Sequence, residues 1–177
     1  MESITLAGGC FWCLDAYFSQ LEGVEEVVSG YSGGTYQNPS YEQVCSGQSG
    51  HAEAVEILFD PTIISLDDIL SIFFTLHDPT TIDRQGADVG SQYRSVIFYR
   101  SPDQREAALQ AMQRIADSEI WEDPIVTSLE PLVTFYPAEA SHQHYFEKQP
   151  EQGYCRAIIA PKVAKLRNQF ASKLRSL

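Results

Sequence analysis

Ile4-Thr5-Leu6-Ala7-Gly8-Gly9-Cys10-Phe11-Trp12-Cys13-Leu14-Asp15-Ala16-Tyr17-Phe18 reads as a strand, a glycine turn and a helix, and this opening unit sets the fold. Residues 3–7 are strand-like, and the pattern from 10 to 20 continues as helix. A cysteine between a strand end and a helix start meets unpaired backbone N–H groups and the positive end of the helix dipole. Both stabilise a thiolate. Gly8 and Gly9 let the chain turn tightly and keep bulk away from the sulfur. Phe11 and Trp12 add two large apolar surfaces. Cys10 is therefore the leading nucleophile, expected as a reactive thiol beside a small hydrophobic pocket. Aromatic neighbours and an acidic chain oppose the thiolate, so the helix terminus has to win locally.

Outward from this unit, a strand is expected near 24–30 and a loop without periodicity over 31–50. A loop that long in a compact domain is usually functional. A strand at 52–59 closes at Asp60-Pro61. Ser65 can cap a helix over 66–77, with Asp68 three residues on as a weaker capping box. A second polar loop covers 78–92 and a strand 93–99. Ser101-Pro102 opens a helix to about 118, with proline in the first turn. A strand near 125–134, a helix over 138–149 and an irregular tail over 150–177 complete the chain. The order β-α-β-β-α-β predicts an α+β fold, a ferredoxin-like split βαβ sandwich with long active-site loops. The 177 residues fit a single catalytic domain, 1–177.

With 44% hydrophobic and 20% charged residues, the composition is that of a soluble globular protein. No apolar run can span a bilayer. No signal peptide is visible, and four cysteines are too few for a disulfide scaffold, so a cytoplasmic protein is expected. The net charge of −12 argues against nucleic acid or an anionic membrane as partner. Residues 161–177 carry Lys162, Lys165, Arg167, Lys173 and Arg175 and no acid, so the first 160 residues hold −17. A helix docked on an acidic body fits this tail, with Val163, Leu166, Phe170 and Leu174 as its apolar stripe. A monomer is expected.

Cys13 completes a C-x-x-C, a motif of dithiol redox chemistry or half a zinc site. Leu14 stands where c-type haem attachment needs histidine, and no second C-x-x-C or H-x₃₋₅-H is present, so no metal is expected. In 51–59, alternation puts Glu53 in phase with Val55, Ile57 and Phe59. A carboxyl on that apolar face is desolvated and can serve as a general acid. A place at the strand end, reaching water, is the other reading. Tyr41 and Tyr93, in or beside the long loops, can donate hydrogen bonds to a substrate oxygen, or be partial core. His51, Asp88, His142 and His144 are ambiguous, and His142 and His144 read as helix surface. Cys155, in Gly153-Tyr154-Cys155, is expected on a mobile segment as a resolving thiol or an unused one. Cys45 looks like a bystander.

Gly9-Cys10-Phe11-Trp12 resembles the signature of A-type peptide methionine sulfoxide reductases. The likeness runs through 30–34, Asn38-Pro39-Ser40-Tyr41, 50–55, His77-Asp78-Pro79, 85–88 and 92–95. It continues in Ala138-Glu139 with His142-Gln143, and ends at Gly153-Tyr154-Cys155. The resemblance implies an enzyme that repairs oxidative damage by reducing the S epimer of methionine sulfoxide, free and in proteins. It implies that Cys10 attacks the sulfoxide sulfur while Glu53 protonates the oxygen and Tyr41 and Tyr93 hold it. Phe11 and Trp12 would hold the substrate methyl, and Asp88 is a further polar site residue. A Cys10 sulfenic acid would then condense with a second cysteine, and thioredoxin or another dithiol, not a bound cofactor, would reduce the disulfide. Cys13 often corresponds to glycine in that family. Cys13, Cys155 or both in series thus remain candidates for the second thiol. A general disulfide oxidoreductase and a zinc-binding module are the competing readings.

Overall fold

The computed structural model describes residues 1–176. In chain order the elements are β1 (Glu2–Ala7), α1 (Phe11–Phe18), β2 (Val24–Ser32), α2 (Tyr41–Cys45), β3 (Ala52–Phe59), α3 (Leu66–Leu76), β4 (Arg84–Gln85), β5 (Asp88–Val89), β6 (Val96–Tyr99), α4 (Pro102–Asp117), β7 (Ser128–Pro131), β8 (Phe135–Pro137), α5 (Tyr145–Lys148) and α6 (Ala160–Gln169). Six strands form one sheet in the order β7-β6-β1-β3-β2-β8, and β4 and β5 pair as a separate hairpin. All pairings are antiparallel except β6 with β7. The architecture is mixed α+β.

The sheet is curled, and chain connectivity requires it. Only residues 132–134 join β7 to β8, which lie at opposite edges. Four residue steps reach at most about 14 Å, whereas six flat strands would hold their outer members about 24 Å apart. Side chains follow the curl. Ile4, Leu6, Val55, Ile57 and Phe59 pack toward the helices in the main core. Ala7, Ala52, Ala54, Val96 and Phe98 line the other face, closed by Leu132 and Phe135. Three alanines there leave room for the bend.

Capping decides several helix starts. Ser65 and Asp68 form the reciprocal box that opens α3, and Ser101 with Pro102 opens α4. The structure departs from the expected elements where backbone chemistry overrides pattern. The strand expected over 125–134 is two strands on opposite edges, because Pro131 has no N–H to extend a ladder. The helix expected over 138–149 is a 3₁₀ turn (Ala140–His142) and the one-turn α5, separated by His144 at φ 52°. The strand expected from 93 begins at Val96, since the Tyr93 N–H closes a turn on Gly90 O at 3.0 Å. Each long loop carries structure: α2, boxed by Ser40 and Gln43, and the β4–β5 hairpin.

The tail is not irregular. A π-helical turn, Cys155–Ile159, runs directly into α6. Ile159, Val163 and Leu166 are buried, Lys173 pairs with Asp68 at 3.1 Å, and Lys165 donates to Thr75 O at 3.2 Å. The apolar stripe and the acidic body together dock it.

Candidate active site

Cys10 is the residue before the first turn of α1, with an extended backbone (φ −64°, ψ 128°). Gly9 makes the turn that puts it there, at φ 95°. A Cβ at Gly9 would lie 2.6 Å from Cγ of Gln85. Gln85 cannot yield, because its amide is held at both ends by Asp78: it accepts from Asp78 N at 2.8 Å and donates to Asp78 O at 3.0 Å. The β4–β5 hairpin is thereby pressed against the turn that carries the thiol.

The electrostatics of Cys10 differ from expectation. Burial pushes the thiol well up, and negative charge on Glu53, Cys13 and Asp88 pushes it further; a hydrogen bond from the Trp12 N–H offsets only part. The helix start does not win, and the resting group is a neutral thiol. Desolvation costs a charged sulfur more than one N–H and a short helix dipole return.

Glu53 sits on β3 opposite Tyr31 of β2, on the helix side of the sheet and only 1% exposed. Its Oε1 accepts the Phe11 N–H at 3.1 Å. Its Oε2 is buried with no hydrogen-bond partner among the described residues. Burial is the main reason its pKa is pushed up to about 8, and Asp88 adds to it. Of the two sequence readings, the buried one describes its position, and the carboxyl carries a proton near neutral pH.

Tyr41 opens α2, and Tyr93 closes the 3₁₀ turn before β6. Burial and then the nearby Glu53 charge raise both phenols, so they stay protonated donors. Phe11 is fully buried and Trp12 partly exposed. Phe11 packs on Tyr31 and Tyr41, with ring centroids at 5.7 and 6.2 Å. Trp12 stacks on Tyr145 at 3.8 Å. Asp88, on β5, accepts the Tyr154 hydroxyl at 2.6 Å.

Four residues not singled out as site residues complete the arrangement. His142 is not helix surface: it accepts the Trp12 indole N–H at 3.2 Å and stacks on Tyr41 at 4.3 Å. Glu139 accepts from the Tyr31 hydroxyl at 2.9 Å and from Tyr41 N at 3.1 Å. Tyr145 and Tyr154 cover Trp12 from one face and one edge. The signal for these was faint: 138–154 is rich in tyrosine, histidine and glutamate without the apolar period of a packed helix.

The cysteines divide. Cys13 is one turn beyond Cys10, its N–H bonded to Cys10 O at 3.0 Å, and is buried. Cys155 is fully buried in the π-turn rather than part of an irregular tail. Cys45 is half-buried at the end of α2, and no disulfide is present among the described residues. Nor, among them, does any group of three His, Cys, Asp or Glu side chains suit a metal ion. A cleft of about 680 Å³ lies elsewhere, between α1 and the tail, with Asp15, His144, Arg167 and Leu174 among its walls.

A neutral thiol beside a protonated buried acid is equipped to draw an oxygen atom off a substrate, the chemistry of a thiol oxidoreductase. The chain belongs to the peptide methionine sulfoxide reductase family, whose sequence model matches residues 2–174. It is 54% identical to the peptide methionine sulfoxide reductase MsrA of Polynucleobacter asymbioticus, over 97% of this chain and 90% of that one. The fold is similar to Mxr1 from Saccharomyces cerevisiae in reduced form, with a TM-score of 0.81 and 34% identity over 87% of this chain and 88% of that one. It is also similar to Mxr1 in complex with Trx2, with a TM-score of 0.57 and 26% identity over 81% and 84%. No helix among the described residues is long and apolar enough to cross a membrane.

Proposed function

We propose that this reductase takes the S epimer of methionine sulfoxide, free and in oxidised proteins, through a sulfenic acid on Cys10. The observation that carries the reading is the unpartnered Oε2 of Glu53, buried and protonated near the thiol. Such a group lacks only a substrate oxygen to bond. The Cys10 sulfur attacks the sulfoxide sulfur while Glu53 protonates the oxygen, and Tyr41 and Tyr93 hold it. Phe11 and Trp12 receive the methyl group, with Asp88 as a further polar contact. The oxygen ends on Cys10 as S–OH, methionine leaves, and the Cys10 proton replaces the one Glu53 gave. A second thiol, Cys13 or Cys155, condenses with the sulfenic acid and releases water. Thioredoxin returns the disulfide to two thiols, a reading supported by the Mxr1–Trx2 complex.

On this reading residues 1–177 act as one catalytic domain. Its four central strands, in the antiparallel order β6-β1-β3-β2, form a split βαβ core of ferredoxin-like type. The test offers separate S and R epimers of an N-blocked methionine sulfoxide with a dithiol reductant. Turnover of the S epimer alone is expected, and its loss in Cys10→Ser. Equal use of both epimers, or turnover kept in Cys10→Ser, refutes the proposal.

A further inference from the structure

The second thiol has an activating device that the sulfoxide step does not use. Cys10 is the residue before α1 and Cys13 the third residue within it, the two positions whose side chains face each other in a capping box. On its other side, Cys13 Sγ lies 3.8 Å from the Tyr154 hydroxyl, which is itself 2.6 Å from Asp88 Oδ2. A phenol has one proton, and the carboxylate takes it. The Cys13 S–H is then the donor to the phenol oxygen. The hydrogen bonds therefore run one way, from Cys13 through Tyr154 to Asp88.

We propose that Tyr154 and Asp88 form a proton relay that activates Cys13, making Cys13 the thiol that closes the first disulfide on Cys10. The proposal rests on the sulfenic acid reading above. In the step, the Cys13 sulfur attacks the Cys10 sulfur, the S–S bond forms and the Cys10 S–O bond breaks. The Cys13 proton passes to the Tyr154 oxygen as the Tyr154 proton passes to Asp88. Glu53 supplies the proton that turns the departing hydroxide into water. Cys10 sulfur is reduced from the sulfenic to the disulfide level and Cys13 is oxidised to it.

Cys13 needs such a path. It is buried, and the titratable groups that bear on it are Cys10 just before α1, Tyr17 on α1, Glu53 on β3, Asp88 on β5, Tyr154 just before the π-helical turn and Lys162 on α6. Burial outweighs the one cation and raises the thiol, so few molecules carry a free thiolate at neutral pH. Tyr154 resists ionising for the same reason, with the Asp88 charge beside it, and so passes a proton without holding an anion.

The experiment uses the full chain with Cys45→Ser and Cys155→Ser, leaving Cys13 as the remaining partner. It is mixed with excess N-acetyl-methionine S-sulfoxide and no reductant. Quenched samples are assayed from pH 5.5 to 7.5, where Glu53 keeps its proton, for methionine, for sulfenic acid trapped by a cyclic dione, and for the Cys10–Cys13 disulfide by mass spectrometry. The expected result is one methionine per chain and a disulfide whose rate is nearly flat with pH. With Tyr154→Phe added, disulfide formation falls at least about tenfold relative to that variant's own methionine burst. Trapped sulfenic acid accumulates, and the rate climbs about tenfold per pH unit as hydroxide replaces the relay. Asp88→Asn shows the same climb and serves if Tyr154→Phe does not fold. An unchanged ratio and flat profile in both variants overturns the relay, as does methionine without a Cys10–Cys13 disulfide. No methionine even with Tyr154 and Asp88 intact overturns the sulfenic acid reading, and the relay with it.

Discussion

At the scale of single residues, burial imposes neutrality on both Glu53 and Cys10. The carboxyl is pushed up to about 8 from its ordinary 4.5 by burial, and the thiol rises through burial first and the nearby carboxyl second. Between pH 4.5 and 8 the folded chain keeps a proton on Glu53 that the unfolded chain gives up. Stability therefore falls as pH rises through that window, and is fully present only below it. Glu53→Gln removes the dependence. It should be more stable than the parent at pH 7.5 by on the order of 1–3 kcal/mol and closer to it at pH 5, read by urea unfolding. An equal gap at both pH values would show that the carboxyl is not protonated by burial. The same substitution should lower the rate of methionine formation roughly 10²–10⁴-fold and abolish its decline above pH 8.

At the scale of elements, the helices show where local rules are kept and where they are broken. α2 and α3 open with complete capping boxes. The α1 start has no side-chain cap, because a sulfur stands where an oxygen would serve best. Function accounts for that exception. Ser65→Ala should cost about 1 kcal/mol by chemical denaturation while leaving turnover intact; a neutral result would mean the Asp68 half of the box suffices. The long loops follow the same logic. Ser40 caps a helix of five residues whose first is Tyr41, and Glu139 grips that tyrosine's N–H from across the sheet edge. Neither segment has a hydrophobic period, so their order comes from hydrogen bonds that pattern reading does not see.

At the scale of the whole molecule, closure of the sheet brings the last third of the chain back over the first. The curl needs small residues on its inner face, and Ala54 is fully buried there. Ala54→Leu should destabilise the fold by about 1–3 kcal/mol, seen as a lowered thermal midpoint, because that face cannot open without breaking the residue 132–134 link. A variant as stable as the parent would mean that the curl has slack. The same closure carries Glu139 onto Tyr31, and His142, Tyr145 and Tyr154 onto Phe11, Trp12 and Asp88, residues that stand more than fifty positions away in the chain.

The sequence by itself determined the strand–turn–helix that presents Cys10, the phase of Glu53 on its strand, the α3 and α4 starts and the family. Each of these is local: a period of two or of about 3.6, a cap, a glycine, or an ordered run of motifs. Tertiary structure alone decided the protonation of the site. Whether a helix start can hold a thiolate depends on how many water molecules the rest of the fold removes, and here burial prevails over the dipole. It also decided the state of the tail. The stripe Ile159, Val163 and Leu166 is helical in pattern, but only a core to dock against turns Cys155 from a presumed mobile thiol into a buried one. Long-range packing sets solvation, and solvation sets charge.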